Sequence, residues 1–145
     1  MEAQKIELVI GREFPKKVIP LIEDAKTSIA IIVYDWLWYP DEIGTQIQLF
    51  NNAIIRANNR GVNVRVCVQK HKIAEILKQA GVKVRRLQSS KSLHVKLMII
   101  DNEITIVGSH NYTKNAFDIN YEVSVILRNE ETARKFKEYF NPFFH

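Results

Sequence analysis

The residues whose types and spacing could do chemistry form one stretch, Leu93-His94-Val95-Lys96-Leu97-Met98-Ile99-Ile100-Asp101, followed by Gly108-Ser109-His110-Asn111. On a strand, His94 and Lys96 are two apart and share a face, while Val95, Leu97 and Ile99 turn the other way into apolar packing. A two-residue turn at Asp101-Asn102 sets Ser109 opposite His94 and puts Asn111 one step diagonal. The same register pairs Val95, Leu97 and Ile99 with Gly108, Ile106 and Ile104, a uniformly apolar set. Imidazole, ammonium, hydroxyl and carboxamide converging on one spot suit an anionic phosphoryl centre. They offer a nucleophile near its working pKa and donors for the non-bridging oxygens. Taken alone, His94 and Lys96 also fit an ordinary strand histidine and an edge-strand charge.

The elements that must position these groups follow from periodicity. Residues 6–10 read as a strand, and Pro15 suits the first turn of a helix running to about residue 26. Residues 28–34 are a β-branched run of the kind buried on both faces of a sheet. Ile43, Ile47, Phe50, Ile54 and Ala57 recur at helical spacing, ending at residues 59–61. A strand at 62–68, a helix at 72–80 closed by Gly81 and a strand at 82–87 come next. A hairpin at 93–100 and 103–108, a strand at 120–127 and an amphipathic helix at about 130–139 complete the chain. This order predicts an α/β fold, a mixed, largely parallel β-sheet flanked by helices on both faces, in a single domain covering residues 1–145.

The spacing of the reactive stretch is His-x-Lys, four residues, Asp, six residues, Gly-Ser-x-Asn. It resembles the signature of the phospholipase D superfamily, the HKD motif, at His94, Lys96, Asp101, Gly108, Ser109 and Asn111. The strand at 28–34, the helix ending near Gly61 and the strand at 62–68 also suit that family's scaffold. The family often carries two motifs per chain, whereas no second His-x-Lys occurs here. The resemblance therefore implies the single-motif branch, in which two subunits share one site across a two-fold axis. Small members of that branch include bacterial endonucleases that cut without a metal.

By the same resemblance, His94 of one subunit attacks phosphorus and His94 of the other protonates the leaving oxygen. Lys96 and Asn111 hold the phosphate oxygens, and Glu122 orients His94 by accepting a ring N–H. Ser109 is expected beside His94 at the site floor, and Asp101 is expected to cap its own turn through its side chain. No metal and no cofactor is implied.

At 145 residues, 46% of them hydrophobic, the chain can furnish one continuous core. No apolar run reaches bilayer length, and the N-terminal Met1-Glu2-Ala3-Gln4-Lys5 lacks a secretory pattern, so a cytoplasmic location is expected. A lone Cys67 in an apolar run forbids an internal disulfide. The formal charge is +5, and nine basic residues against the single acid Glu75 fall between Arg65 and Lys96. Such a segment attracts polyanions, which nominates Lys70, Lys72, Arg86 and Lys91 as substrate-binding residues and nucleic acid as partner. Among Tyr34, Trp36, Trp38 and Tyr39, the two tryptophans are candidates for stacking on bases, against the alternative of packing in the core or a dimer interface.

Other chemistries fit less well. Pro40-Asp41 begins a divalent-metal nuclease pattern, yet no later acid has Lys two residues on. His71, His94, His110 and Cys67 lack zinc-ligand spacing, and Ser109 lacks the Gly-x-Ser-x-Gly elbow of a serine hydrolase. Lipid phosphodiester hydrolysis is the alternative within the family, with the aromatic residues Phe136, Tyr139, Phe140, Phe143 and Phe144 in its favour. A non-catalytic nucleic-acid-binding module of a larger effector is the alternative outside enzymology.

Overall fold

The structure is a computed structural model that describes residues 4–144. Residues 1–3, part of the stretch read for a targeting signal, and residue 145 lie outside the described residues. Strands are β1 (Lys5–Ile10), β2 (Ser28–Val33), β3 (Asn63–Val68), β4 (Lys83–Arg86), β5 (Lys96–Ile100), β6 (Ile104–Gly108) and β7 (Val123–Arg128). Helices are α1 (Glu13–Glu23), α2 (Gln46–Asn59), α3 (His71–Gln79), α4 (Lys114–Asp118) and α5 (Glu130–Phe140), followed by a 3-10 turn at Asn141–Phe144. No helix among the described residues is long and apolar enough to cross a membrane.

The strands form one sheet in the order β1-β7-β6-β5-β2-β3-β4. It is mixed, as expected, but its parallel part is confined to β2-β3-β4, and the other four pairings are antiparallel. Parallel neighbours need a crossover, which α2 and α3 supply. The β5–β6 hairpin reverses the chain directly, and the short α4 link returns β7 antiparallel to β6.

Helices cover both faces. Phe14, Val18 and Ile22 of α1 and Ile47, Phe50, Ile54 and Ala57 of α2 lie at helical spacing in one core, joined by Ile73 and Leu77 of α3 and Phe117 of α4. On the other face, Ala133 and Phe140 of α5 pack over Ala30, Ile32, Cys67, Leu97 and Ile99. β2 is buried on both sides, and the same burial pushes the Cys67 thiol up to about 11. N-caps fix the entries of three helices. Thr45 accepts from Gln48 N, Thr113 from Ala116 N and Asn129 from Thr132 N.

The hairpin register differs from the expected one by a single residue. Asp101 and Asn102 do turn the chain, with φ of 55° and 56°, but Ile100 pairs with Ile104, so Glu103 also belongs to the loop. Leu97 therefore faces Val107 and Ile99 faces Thr105, while Ile104 and Ile106 serve the core on the opposite side. His94 and Val95 precede β5 rather than lying within it. β7 likewise begins only at Val123, three residues later than expected.

Asp101 does not cap its own turn. Its carboxylate accepts the backbone N–H groups of Lys26, Thr27 and Ser28 and the Thr27 hydroxyl, at 2.7 to 3.2 Å. It thus ties the hairpin tip to the start of β2. Burial works against the charge, yet these donors win and hold the carboxyl below its ordinary value.

A group with a lowered folded-state pKa adds stability above its unfolded value and loses it as pH falls through the folded one. Asp101→Asn tolerates the same φ but should unfold about 1–2 kcal/mol more easily at pH 7. The gap should close on acidification below the ordinary aspartate range near about 3.9, as read by urea titrations at several pH values.

Gly108 is required for packing. A Cβ there would meet the Ser124 backbone Cα at 2.4 Å across the β6–β7 pair, and backbone cannot swing aside. Gly108→Ala should cost about 1–3 kcal/mol in chemical denaturation, whereas a wild-type midpoint would show that β7 can retreat.

Candidate active site

The strand directions gather the reactive residues at one margin of the sheet. β2, β3 and β4 run parallel and end at Val33, Val68 and Arg86, while β5, antiparallel to β2, begins there with Val33 opposite Lys96. β6 ends and β7 begins at the same margin, where Gly108 pairs with Ser124. Ligands commonly occupy this end of such sheets, where loops diverge from a rigid frame.

Three nitrogen-bearing side chains surround one aromatic ring. The His94 and Tyr34 ring centroids lie 5.0 Å apart, and the ammonium groups of Lys96 and Lys70 stand 5.7 and 4.9 Å from the Tyr34 centroid. Lys96 Nζ donates to the His94 carbonyl at 2.9 Å and lies 3.0 Å from His94 Nδ1. His94 Nε2 lies 3.4 Å from the same ammonium, which only donates, so the ring nitrogen that meets it offers a lone pair. Burial lowers the Lys96 pKa, opposed by the charge of Glu122. An arriving anion would draw the Lys96 donors to itself and release the imidazole lone pair beside it.

The neighbouring residue, Asp35, joins the other half of the site. Its backbone N–H donates to Asn111 Oδ1 at 3.0 Å, its carbonyl accepts from Tyr112 N, and its carboxylate takes a salt bridge from Lys70 at 2.9 Å. With Oδ1 committed, Asn111 keeps its amide N–H groups for a ligand, and none of them is used within the described residues.

Gln69, just past β3, pins the loop that leads to His94. Its side-chain amide donates to the carbonyls of Ser89 and Lys91, and its oxygen accepts from Leu93 N at 2.8 Å.

Residues 18–143 match the family described as cardiolipin synthase, PLD-like domain. The chain belongs to the phospholipase D superfamily. It is 33% identical over 136 residues to mitochondrial cardiolipin hydrolase of Canis lupus familiaris, covering 90% of this chain and 50% of that one. It thus spans about half the length of that relative. In three dimensions it matches a phospholipase D family member, Nuc, from Salmonella typhimurium. The TM-score is 0.81 at 25% identity, over 97% of this chain and 94% of that one. NucT from Helicobacter pylori matches with a TM-score of 0.78, also at 25% identity, over 97% and 96% of the two chains.

Within this family frame, His94 and Lys96 meet each other beside Tyr34, and Asn111 is bonded to the next residue, Asp35. Ser109 and Glu122 form a hydrogen-bonded pair at the start of β7. Ser109 donates to Glu122 Oε1 at 2.5 Å and accepts from Val123 N. Glu122 accepts from Ser109 and, through Oε2, from Asn120 Nδ2. Within one chain it reaches Lys96 electrostatically rather than the His94 ring. His110, inside the motif, is structural: it is 1% exposed, its Nε2–H donates to Gly11 O and its Nδ1 meets Ser124 Oγ. Burial lowers its pKa, with the Gly11 contact and Glu122 opposing.

Of the predicted substrate-binding residues, Lys70 is at the site through Tyr34 and Asp35. Arg86 lies at the same margin, donating to Gln69 O, and Lys91 is exposed in the loop that Gln69 holds. Lys72 is exposed in the first turn of α3. The basic segment does not act as a block, because Arg65 lies over Phe140 and Phe144, and Lys83 donates to Asn63 at the opposite end of the sheet. Trp36 is corrected to a core residue. It is 1% exposed and donates its indole N–H to Asn51, so it offers no face to a base. Trp38 is half-buried and packs against the same core.

Tyr34, Asp35 and Gln69 are the site residues that the motif does not announce. Tyr34→Phe should keep kcat, and Tyr34→Leu should lose about 10-fold in kcat with KM changed less, as the ring orders His94 and Lys96. Equal kcat for both variants would remove the ring from the mechanism.

Proposed function

We propose that the protein is a metal-independent phosphodiesterase that cleaves DNA or RNA, with two protomers contributing one motif each to a shared site. The observation that carries this reading is the grouping of the His94 imidazole, the Lys96 ammonium and the Asn111 amide at one rigid sheet margin, with one such set per chain.

His94 of one protomer attacks phosphorus, the phosphorus–oxygen bond to the leaving group breaks, and the partner's His94 gives that oxygen a proton. Water then attacks the phosphohistidine, surrendering its proton to the second imidazole, and the first histidine is restored. Lys96 and Asn111 from both protomers hold the non-bridging oxygens, a role that divalent cations fill elsewhere.

Nucleic acid is favoured by Lys70, Arg86, Lys91 and Lys96 at the site margin and by the match to Nuc and NucT over nearly their whole lengths. Lipid phosphodiester hydrolysis is the second reading, supported by the higher identity to relatives named cardiolipin hydrolase.

Labelled single- and double-stranded DNA, RNA and a cardiolipin vesicle, each in excess EDTA, separate the two. Cleavage of a nucleic acid with intact lipid is expected, and His94→Ala should lower the rate by more than about 1,000-fold while remaining folded. Full activity of His94→Ala, or loss of all wild-type activity in EDTA, would contradict the proposal.

A further inference from the structure

Four strands reach the site margin in one register row. Lys96 pairs with Val33, Val33 and Val68 lie one step beyond the Ile32–Cys67 pair, and Val68 pairs with Arg86. Alternation along each strand keeps the row on one face, the face on which Val33, Val68, Val84 and Met98 meet the larger core. Lys96 and Arg86 therefore stand at the two ends of the row, three strand spacings or about 14 Å apart at Cα, with two valines between them. Each is tethered at its own end. Lys96 Nζ rests on His94, and Arg86 Nε donates to the Gln69 carbonyl at 3.1 Å. With Nε committed, Arg86 keeps its two Nη groups, which meet no partner among the described residues, and the side chain is exposed. A guanidinium fixed in this way presents paired N–H groups, the geometry that grips a phosphate.

Residues 87–95 must cross the ends of β3 and β2 to carry the chain from β4 to β5. Gln69, at the end of β3, holds that crossing down by its backbone at Ser89, Lys91 and Leu93, and Lys91 N donates to Ser89 Oγ at 3.1 Å. Gln88, Ser89, Ser90, Lys91 and Ser92 are all exposed, and no acid occurs between Glu75 and Asp101. The acid at the margin, Asp35, is taken by Lys70. A loop fixed by its backbone, bearing hydroxyl and ammonium groups and no carboxylate, suits an anionic chain laid along it.

We propose that Arg86 and this loop form a second phosphate subsite, which takes a phosphate of the same strand lying beyond the one held at His94 and Lys96. Arg86 supplies the paired N–H groups, and Lys91 and the serine hydroxyls supply further donors. Gln69 is the positioning residue for both parts, through its carbonyl for Arg86 and through its side chain for the loop. This rests on the phosphodiesterase reading above and narrows it to a substrate with successive phosphodiesters. A nucleic-acid strand fits better than a lipid bearing two phosphates, because the exposed residues 88–92 offer no apolar side chain to acyl chains.

The test compares kcat/KM on a single-stranded oligothymidylate, which has successive phosphates, with kcat/KM on bis(p-nitrophenyl) phosphate, which has one. The proteins are the wild type, Arg86→Gln, Arg86→Lys and the control Lys83→Gln, which removes a like charge at the far end of the same strand. Because Arg86 and Lys83 are exposed, all variants should keep the wild-type circular dichroism. Arg86→Gln should lower the ratio of oligonucleotide to small-ester efficiency about 10-fold. It should also make log kcat/KM on the oligonucleotide less steep in log salt by about 0.7, the loss of one phosphate contact. Arg86→Lys keeps the charge without the fork, so it should restore the salt slope but not the ratio. Lys83→Gln should match the wild type in both. Equal losses on the two substrates, or a wild-type ratio in Arg86→Lys, would overturn the subsite in favour of diffuse charge. A loss on cardiolipin micelles with none on the oligonucleotide would overturn it as well. A wild type that cleaves neither substrate would refute the phosphodiesterase reading instead. Fluorescence anisotropy of the labelled oligonucleotide would then decide the subsite by itself, through the same 10-fold or so weakening, or none, in Arg86→Gln.

Discussion

The antiparallel pairing of β5 against β2 is the constraint on which the site depends. β2 lies near the middle of the sheet, buried on both faces, with β3 and β4 running parallel to it. Because β5 runs the other way, its first residue meets the last residue of β2, Lys96 against Val33. His94 and Lys96 therefore emerge beside Tyr34 and Asp35, and not at the far end of the sheet where Asp101 holds the start of β2. Both ends of the β2–β5 pair are fixed, one by a carboxylate on three backbone N–H groups and the other by the Tyr34 ring and the Asn111 amide.

The polar groups divide into those that hold the frame and those left for a ligand. His110, Asp101 and Gln69 spend their capacity within the protein, joining segments 99, 74 and 24 residues apart in sequence. Ser109 and Glu122 satisfy each other. Lys96, held by His94 and the face of Tyr34, is partly desolvated and has donors to redirect. Such an arrangement favours an incoming anion over water, because the cations are already assembled.

The motif was legible in the sequence because its geometry is local: two residues on a strand, a turn and the strand that returns. The longer helices and the strands were legible for the same reason, through periodicity, whereas the five-residue α4 was too short to show one. The register was not, since whether Glu103 joins the turn depends on contacts of β6 with β7 and not on Asp101-Asn102 alone. The largely parallel sheet was over-read because the strand–helix alternation of the first half does not continue past β4. Trp36 could not be assigned to the core without Asn51, which α2 brings to its indole N–H. Tyr34, Asp35 and Gln69 act across 20 to 77 residues of sequence, and no local pattern marks them.

The central claim is that phosphorus bonds transiently to the imidazole of His94. Rapid acid-free quenching of the protein with a short oligonucleotide, followed by intact-mass and peptide mapping, reads this directly. The account predicts an adduct of one cleavage fragment on His94, stable in alkali and lost in acid. An adduct on Ser109, or turnover with no covalent species at any quench time, would contradict it.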